Sequence, residues 1–407
     1  MNQGRIQRDP RRLSVVDIPP LHGRGLPGQV RYLIIRACGR PAHFLSGLAA
    51  VPRLEYSSSA ASMSPSILVL VLNWNRWLDT VECLESVFRI DYPRYRVIVC
   101  DNGSSDGSRE HLKAWAEGRL DGSVRWHDSR SLLSEFSFPP IPKPITLVEY
   151  DRFQAEAGGN PRDQGARLIL IQTGANLGYA GGNNVGLRYA LARQDSEYVW
   201  LLNNDTVVAP DALTELVRTA ETDDSIGMVG SKIVYFENPR LLWYAGANLD
   251  SNAPWRMHHR GLQKEDTGQY DKVEETGFVT GCSLLARAKM LSEIGLLDES
   301  FFLYFEDSDL CVRAGSAGWK LVYCPDSVIQ HKVSLSMGGA GSPAMQYYYS
   351  RNFLYFVKKH FPDKLMRTLL HDIFEHILVN LKKGKVVCAA MAIQGIWHYF
   401  TGRHGSL

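Results

Sequence analysis

Three places in the chain gather side chains able to hold a cation or move a proton. Residues 203–205 read Asn-Asn-Asp directly after the apolar run YVWLL, residues 306–309 read Glu-Asp-Ser-Asp, and His331 closes the stretch VYCPDSVIQH. In an extended segment residues two apart share a face, so Asn203 and Asp205 can point together at one ion while Asn204 points away. Hard oxygen ligands of this kind suit Mg2+ or Mn2+, and neutral imidazole is a competent partner for Mn2+. If residues 306–309 open a helix, Glu306 and Asp309 lie on one face and Asp307 projects roughly 100° round from Glu306. A carboxylate so placed can take the proton of an attacking hydroxyl. Each group also has a structural use: Asp205 as a helix cap, the acids as partners of a helix N-terminus, the histidine as a packed side chain.

The elements that must position these groups follow from the apolar pattern. ILVLVLNWN from Ile67 is the continuous run of a strand covered on both faces, and Trp77, Val81, Leu84 and Phe88 then recur at helical spacing. The same alternation returns in YRVIVCDNGSSDGS with REHLKAWAEG, in ARLILIQTGANLGYAGGNN with VGLRYALAR, and in EYVWLLNNDTVVAP with DALTELVRTA, before the strand IGMVGSKIVYF. Successive strand and helix units predict an α/β fold with a mainly parallel, Rossmann-like central sheet and flanking helices. Residues 118–165 are too long for an ordinary connection and read as a loop-like surface insertion. Ligands of such sheets sit beyond the carboxyl ends of the strands, where this chain places Asn73 and Asn75, Asp101 and Asn102, Asn176, and Asn203 with Asp205.

The 407 residues are 45% hydrophobic and 22% charged, ample for a globular core. The net charge of +2 divides unevenly: residues 1–62 hold nine Arg, no Lys and three acids, so that segment is +6 and the remainder −4. With no basic stripe beyond the first segment, no nucleic-acid partner is expected. Seven cysteines without a C-x-x-C pair argue against a zinc knuckle or a disulfide framework, and suggest a reducing, cytoplasmic compartment. No G-x-G-x-x-G follows the first strand and no G-x-x-x-x-G-K-[ST] occurs, which removes nicotinamide oxidoreductases and P-loop NTPases. A nucleotidyltransferase would want a basic, glycine-rich loop where NWNRWLDT stands. A non-catalytic nucleotide-sugar binding or scaffold protein remains open.

At this level of detail the motifs resemble glycosyltransferase family 2, the inverting GT-A nucleotide-sugar transferases, and its rhamnosyltransferase-like branch. The resemblance runs over about residues 66–360. LNWNRWLDTVECLESV is similar to the family's first strand and helix, VCDNGSSDGS to its nucleoside-binding segment, and NLGYAGGNNVG to the loop under the nucleotide. LLNNDT falls where the family carries Asp-x-Asp, GFVTGCSLLAR resembles its acceptor-side loop, and FFLYFEDSDLCVRAGSAGWKLVYCPDSVIQHKVS the segment with its base and a late metal-binding histidine. The resemblance implies Asp307 as base with Glu306 beside it, and Asp205 with His331 on a divalent cation. Donor contacts are implied for Asn73, Asn75, Asp101, Asn176, Gly178, Gly181, Asn184, Asn203 and Asn204, and acceptor contacts for Thr280, Gly281 and Cys282. Asn203 replaces the family's first Asp and takes one formal charge from the site. The implied reaction moves a sugar, with dTDP-L-rhamnose as one donor, onto a saccharide or polyprenyl-linked acceptor in cell-surface polysaccharide synthesis.

Two ends complete the division. Residues 1–65 read as a disordered or misassigned N-terminal extension, either a transit-like leader or the product of a start codon placed upstream of Met63. Arg351, in an aromatic-rich basic helix, can fork onto a diphosphate or stand as an exposed charge. Residues 361–407 form a C-terminal helical segment whose apolar stripe from 365 to 381 ends in Lys382, Lys383 and Lys385. Such a helix lies on the cytoplasmic face of an anionic membrane or packs on the catalytic domain.

Overall fold

The computed structural model describes residues 64–120, 136–249, 257–333 and 341–407, so the expected extension before residue 64 lies outside the described residues. In chain order the strands are Ile67–Asn73 (β1), Tyr95–Asp101 (β2), Leu147–Asp151 (β3), Leu168–Gln172 (β4), Tyr198–Asn203 (β5) and Thr206–Val208 (β6). They continue with Ile226–Tyr235 (β7), Leu242–Tyr244 (β8), Ala247–Leu249 (β9), Met257–His259 (β10), Glu274–Glu275 (β11), Ser283–Arg287 (β12) and Lys320–His331 (β13). One mixed sheet runs β3-β4-β2-β1-β5-β12-β7-β13-β11, with β6 against β13 and β8 against β7; β9 and β10 pair separately. From β3 to β5 every pairing is parallel, and β7 and β13 are parallel to each other, with β12 running antiparallel between β5 and β7. This is the mainly parallel α/β sheet that the alternating units predict.

The central strands are buried on both faces: Val69 and Leu70 of β1, Val97 and Ile98 of β2, Ile169 of β4 and Trp200 of β5 are inaccessible or nearly so. Water therefore drives the apolar runs inside, at ~1.5–3 kcal/mol for each large side chain, and leaves the polar residues at the strand ends. Register aligns those ends: Asn73 lies opposite Asp101, and Asn203 opposite Leu72. On the other flank β13 runs antiparallel to β6 with His331 opposite Thr206, which brings the histidine beside Asp205.

Two local expectations are corrected. Within the supposed loop insertion, β3 adds an edge strand parallel to β4, from Leu147 opposite Leu168 to Asp151 opposite Gln172. Asp151 then caps the short helix Arg152–Glu156 by accepting from the Gln154 amide. The helix expected to begin at Val185 instead spans Gly178–Arg193. Two of its glycines face the sheet, where a Cβ at Gly186 would stand 2.4 Å from Leu70 Cδ1 and one at Gly182 2.5 Å from Leu72 Cδ1. They bring the helix close to β1 instead of forming a loop.

After β13 the chain forms helix Pro343–His360, capped by Ser342, then Leu365–Asp372, a wide π turn at Ile373–Leu378, Val379–Lys382, and Val386–Phe400. Among the described residues no helix is long and apolar enough to cross a membrane.

Candidate active site

A cavity of about 880 Å³ opens at the polar strand ends. Its lining includes Asn102, Asn176 and Gly178, residues 203–205 and His331, residues 280–282 and 302–308, and Met345, Tyr348 and Tyr349 with His371 and Glu375.

Asp205 and His331 meet here with Oδ1 and Nε2 3.2 Å apart, both nearly enclosed. Burial works against the Asp205 charge, but the His331 ring and Lys332 hold its carboxyl below the usual aspartate range. Burial likewise opposes an imidazolium at His331, yet the Cys282 sulfur and the Asp205 carboxylate raise the ring well above an ordinary histidine. Its Nδ1 is buried without a hydrogen-bond partner. Among the described residues no group of three or more His, Cys, Asp and Glu forms a metal cage. A two-residue set nonetheless suits Mg2+ or Mn2+, which keep positions for substrate phosphate oxygens and are seldom fully enclosed by protein. Asp205 Oδ1 and His331 Nε2, which converge at 3.2 Å, fit that chemistry once a cation replaces the ring proton that the neighbouring anions favour.

On the same cavity, helix Glu306–Ser316 opens with the acidic cluster. Asp307 Oδ2 accepts from the Gly281 amide at 3.1 Å and Oδ1 from the Ser308 amide at 2.7 Å. Burial pushes its carboxyl up, and those two amides restrain the rise. Glu306 is pushed well above its usual range by burial and then by the Asp307 charge, and its Oε2 has no partner. Amide donors favour the anion at Asp307, so of this pair Glu306 holds the proton. Asp309 serves the fold: Arg313 and His360 bind it at 2.8 and 2.7 Å and, against burial, help to lower its carboxyl to about 2. Tyr179, which the sequence reading passes over in NLGYAGG, donates to the Gly281 carbonyl at 2.7 Å and so fixes the loop that binds Asp307.

The segment before this helix is strained. Phe302, Tyr304 and Phe305 have φ of 63°, 68° and 74°, a region that non-glycine residues seldom adopt. Asn352 holds it by donating through Nδ2 to the carbonyls of Phe301 at 2.6 Å, Leu303 at 2.7 Å and Tyr304 at 3.2 Å. Arg351 is corrected here. Its side chain is fully buried and its guanidinium donates to Phe301 O, Gly405 O, Asn352 Oδ1 and the Tyr347 hydroxyl, so it does not face the cavity. Gly178 completes the brace: at φ 74° it brings the Tyr179 amide within 2.6 Å of Phe302 O, where any Cβ on Gly178 would clash at 2.3 Å. Asn352→Ala leaves three carbonyls without this donor. It should destabilise the protein by ~3 kcal/mol and lower turnover by loosening the loop that carries Glu306 and Asp307, as thermal unfolding and initial rates would show.

Eleven of the expected site residues line the cavity: Asn176, Gly178, Asn203, Asn204, Asp205, Thr280, Gly281, Cys282, Glu306, Asp307 and His331. The others stand behind it. Asp101 accepts from Asn73 at 2.8 Å, Asn73 accepts from Thr80 at 2.7 Å, and Thr80 accepts from Asn204 at 2.9 Å, a polar chain beneath the floor. Asn204 thus turns its amide inward, while Asn75 accepts from the Ser105 amide at 2.7 Å. Asn184 clasps both the amide and the carbonyl of Leu297, and Gly181 packs against Leu177. Asn102, named among the polar strand ends but given no role there, lines the cavity and bridges Asn176 Oδ1 and Gly178 O at 3.1 and 3.0 Å. Its signal is the polar strand end in VCDNG.

The stretches carrying this architecture match two family models, "Glycosyl transferase family 2" over residues 68–132 and "Glycosyltransferase like family 2" over residues 160–341. The second stretch contains Asp205, Gly281, Asp307 and His331. Over 150 residues the chain is 29% identical to the low-salt glycan biosynthesis hexosyltransferase Agl10 of Haloferax volcanii, covering 36% of this chain and 46% of that one. The alignment thus spans less than half of that relative. Over 241 residues the chain is 25% identical to the N-acetylglucosaminyl-diphospho-decaprenol L-rhamnosyltransferase of Mycobacterium tuberculosis, covering 54% and 76% of the two chains. Among solved structures it is similar to the mannosyltransferase PcManGT from Pyrobaculum calidifontis in complex with GDP-Man and Mn2+. The TM-score is 0.47 at 16% identity, over 84% of this chain and 89% of that one.

Proposed function

We propose that this chain is an inverting glycosyltransferase of GT-A organisation that moves a hexosyl group from a nucleoside-diphosphate sugar to a saccharide or lipid-linked saccharide. Rhamnose from a dTDP donor is the favoured sugar, by analogy with the rhamnosyltransferase relatives. The observation that carries the reading is that Asp307 and the Asp205–His331 pair open onto one cavity, joined by the Gly281–Cys282 loop, whose Gly281 amide binds Asp307 and whose Cys282 sulfur lies by His331. An inverting displacement needs a base and a diphosphate-binding group on one cavity, with the acceptor oxygen entering opposite the departing diphosphate.

Asp205 and His331 would hold a divalent cation, which would supply neutralising charge to the leaving diphosphate. Asn203 lines the same cavity and would bring no charge to that ligand. Asn102 braces the nucleoside side through its Nδ2 on Asn176 Oδ1 and Gly178 O, and Asn176 is the side chain that would meet the nucleoside there. Asp307, oriented by the Gly281 amide, takes the acceptor proton at its carboxylate; Glu306, holding its own proton, donates toward the sugar and adds no second anion. Buried free cysteines among the described residues accord with a reducing cytoplasmic setting.

A thermal-shift series with uridine, thymidine and guanosine diphosphate sugars, with and without Mn2+, tests the donor class. Selective stabilisation that needs Mn2+ is expected, since a ligand that binds only the native state raises its stability. Equal shifts with all nucleotides, indifferent to metal, would sink the assignment.

Because the base must be ionised and burial raises its carboxyl, kcat should climb with pH through a value above the ~3.9 of an ordinary aspartate. Activity is then full above that value and lost below it. An acid limb at or under the ordinary value, in a profile of kcat against pH, would contradict Asp307 as the base.

A further inference from the structure

The helices after His360 use one side for packing. His376 Nδ1 meets Gln346 Oε1 at 2.8 Å, His398 Nδ1 meets the Tyr347 hydroxyl at 2.6 Å, and a Cβ on Gly395 would lie 2.4 Å from Tyr347 O. All three contacts face helix Pro343–His360. The other side is apolar and open. Met366, Leu370, Phe374 and Leu378 follow at steps of four with 67, 62, 57 and 51% of their surface exposed, and Trp397 and Phe400 of the last helix are 64 and 63% exposed. Ten of the sixteen large apolar side chains exposed among the described residues fall between 366 and 400, so this is a built face and not scattered surface. Between the two stripes Lys382, Lys383 and Lys385 are exposed, and no carboxylate pairs with them among the described residues. Residues 376–407 hold three Lys, one Arg and no acid.

We propose that this face docks on a bilayer surface carrying anionic lipids, with the apolar stripes entering the headgroup boundary and the three lysines meeting lipid phosphates. An apolar face bordered by uncompensated lysines complements that surface, whereas a protein partner would need carboxylates facing those lysines. Helix Leu365–Asp372 and the π turn after it also carry His371 and Glu375 into the cavity wall, next in sequence to Leu370 and Phe374. Docking therefore sets the cavity beside the membrane, where an acceptor sugar on a lipid carrier would be presented. That last step rests on the glycosyltransferase reading; the docking does not.

The test is sedimentation of the full chain with vesicles of phosphatidylcholine alone and of phosphatidylcholine with roughly one third phosphatidylglycerol. Binding should favour the anionic vesicles and weaken as salt rises. Replacing Lys382, Lys383 and Lys385 together by Ala should lower partitioning about a hundredfold, near fivefold for each lysine. Leu370→Glu with Trp397→Glu should abolish it while donor turnover in vesicle-free solution stays unchanged. Absence of vesicle binding by the folded wild-type chain would overturn the proposal. So would a wild-type dimer in light scattering that these two Glu substitutions convert to monomer with vesicle binding unaltered, because a second copy would then be the occupant. Vesicle binding without any sugar transfer would leave docking standing and defeat the enzymatic reading instead.

Discussion

Asp307→Asn should leave nucleotide-sugar affinity within about twofold of wild type and lower kcat by ~10²-fold or more. The substitution keeps the shape of the side chain and one oxygen for the Gly281 amide, which now meets Asp307 Oδ2 at 3.1 Å. It removes the capacity to take a proton and one of the two acceptor oxygens that meet the Gly281 and Ser308 amides. Glu306→Gln should cost less, since burial and the neighbouring anion already keep Glu306 protonated and a carboxamide is close to a neutral carboxyl in shape. Donor affinity and turnover on both variants separate the roles. An active Asp307→Asn beside a dead Glu306→Gln would move the base one residue back.

Asp205→Ala should abolish metal-dependent donor binding, weakening it by ~100-fold or more, because it leaves one protein ligand where two converge. The loss should be confined to assays with metal present. Asn203→Asp is the complementary change: with no acid at residue 203 the wall is one charge short, and a new carboxylate should keep or tighten the Mn2+-dependent affinity. Titrations of donor with and without Mn2+ check both. If Asp205→Ala binds donor and metal as wild type does, this wall is not the diphosphate side.

How much of this was legible in the sequence depended on distance along the chain. The core strands announce themselves as apolar runs, and because burial expels polar groups to their ends, Asn203, Asp205 and Asp101 could be placed at one sheet edge from sequence alone. What brings His331 to Asp205 is the antiparallel register of β13 with β6, a pairing across more than a hundred residues that no local pattern encodes. The edge strand β3 was hidden by prolines at 139, 140, 142 and 144, which read as loop although they stop just before it. Arg351 misled for a chemical reason: a guanidinium that can fork onto phosphate can equally satisfy backbone carbonyls, and here a strained loop supplies them. Asn352 gave no signal, since its value lies in three carbonyls some fifty residues away. The polar chain from Asp101 to Asn204 shows the same limit, because donor contact and structural strut require the same residue types.

The most direct measurement follows the anomeric carbon. With Mn2+, a selectively bound nucleotide-sugar and a saccharide acceptor, the wild-type chain should release nucleoside diphosphate and form a glycoside of inverted anomeric configuration, read by proton NMR of the first product. Asp307→Asn should bind the same donor and form almost none. Tight donor binding with no transfer by the wild-type chain would point to a binding protein, and a product of retained configuration would contradict a single displacement with Asp307 as its base.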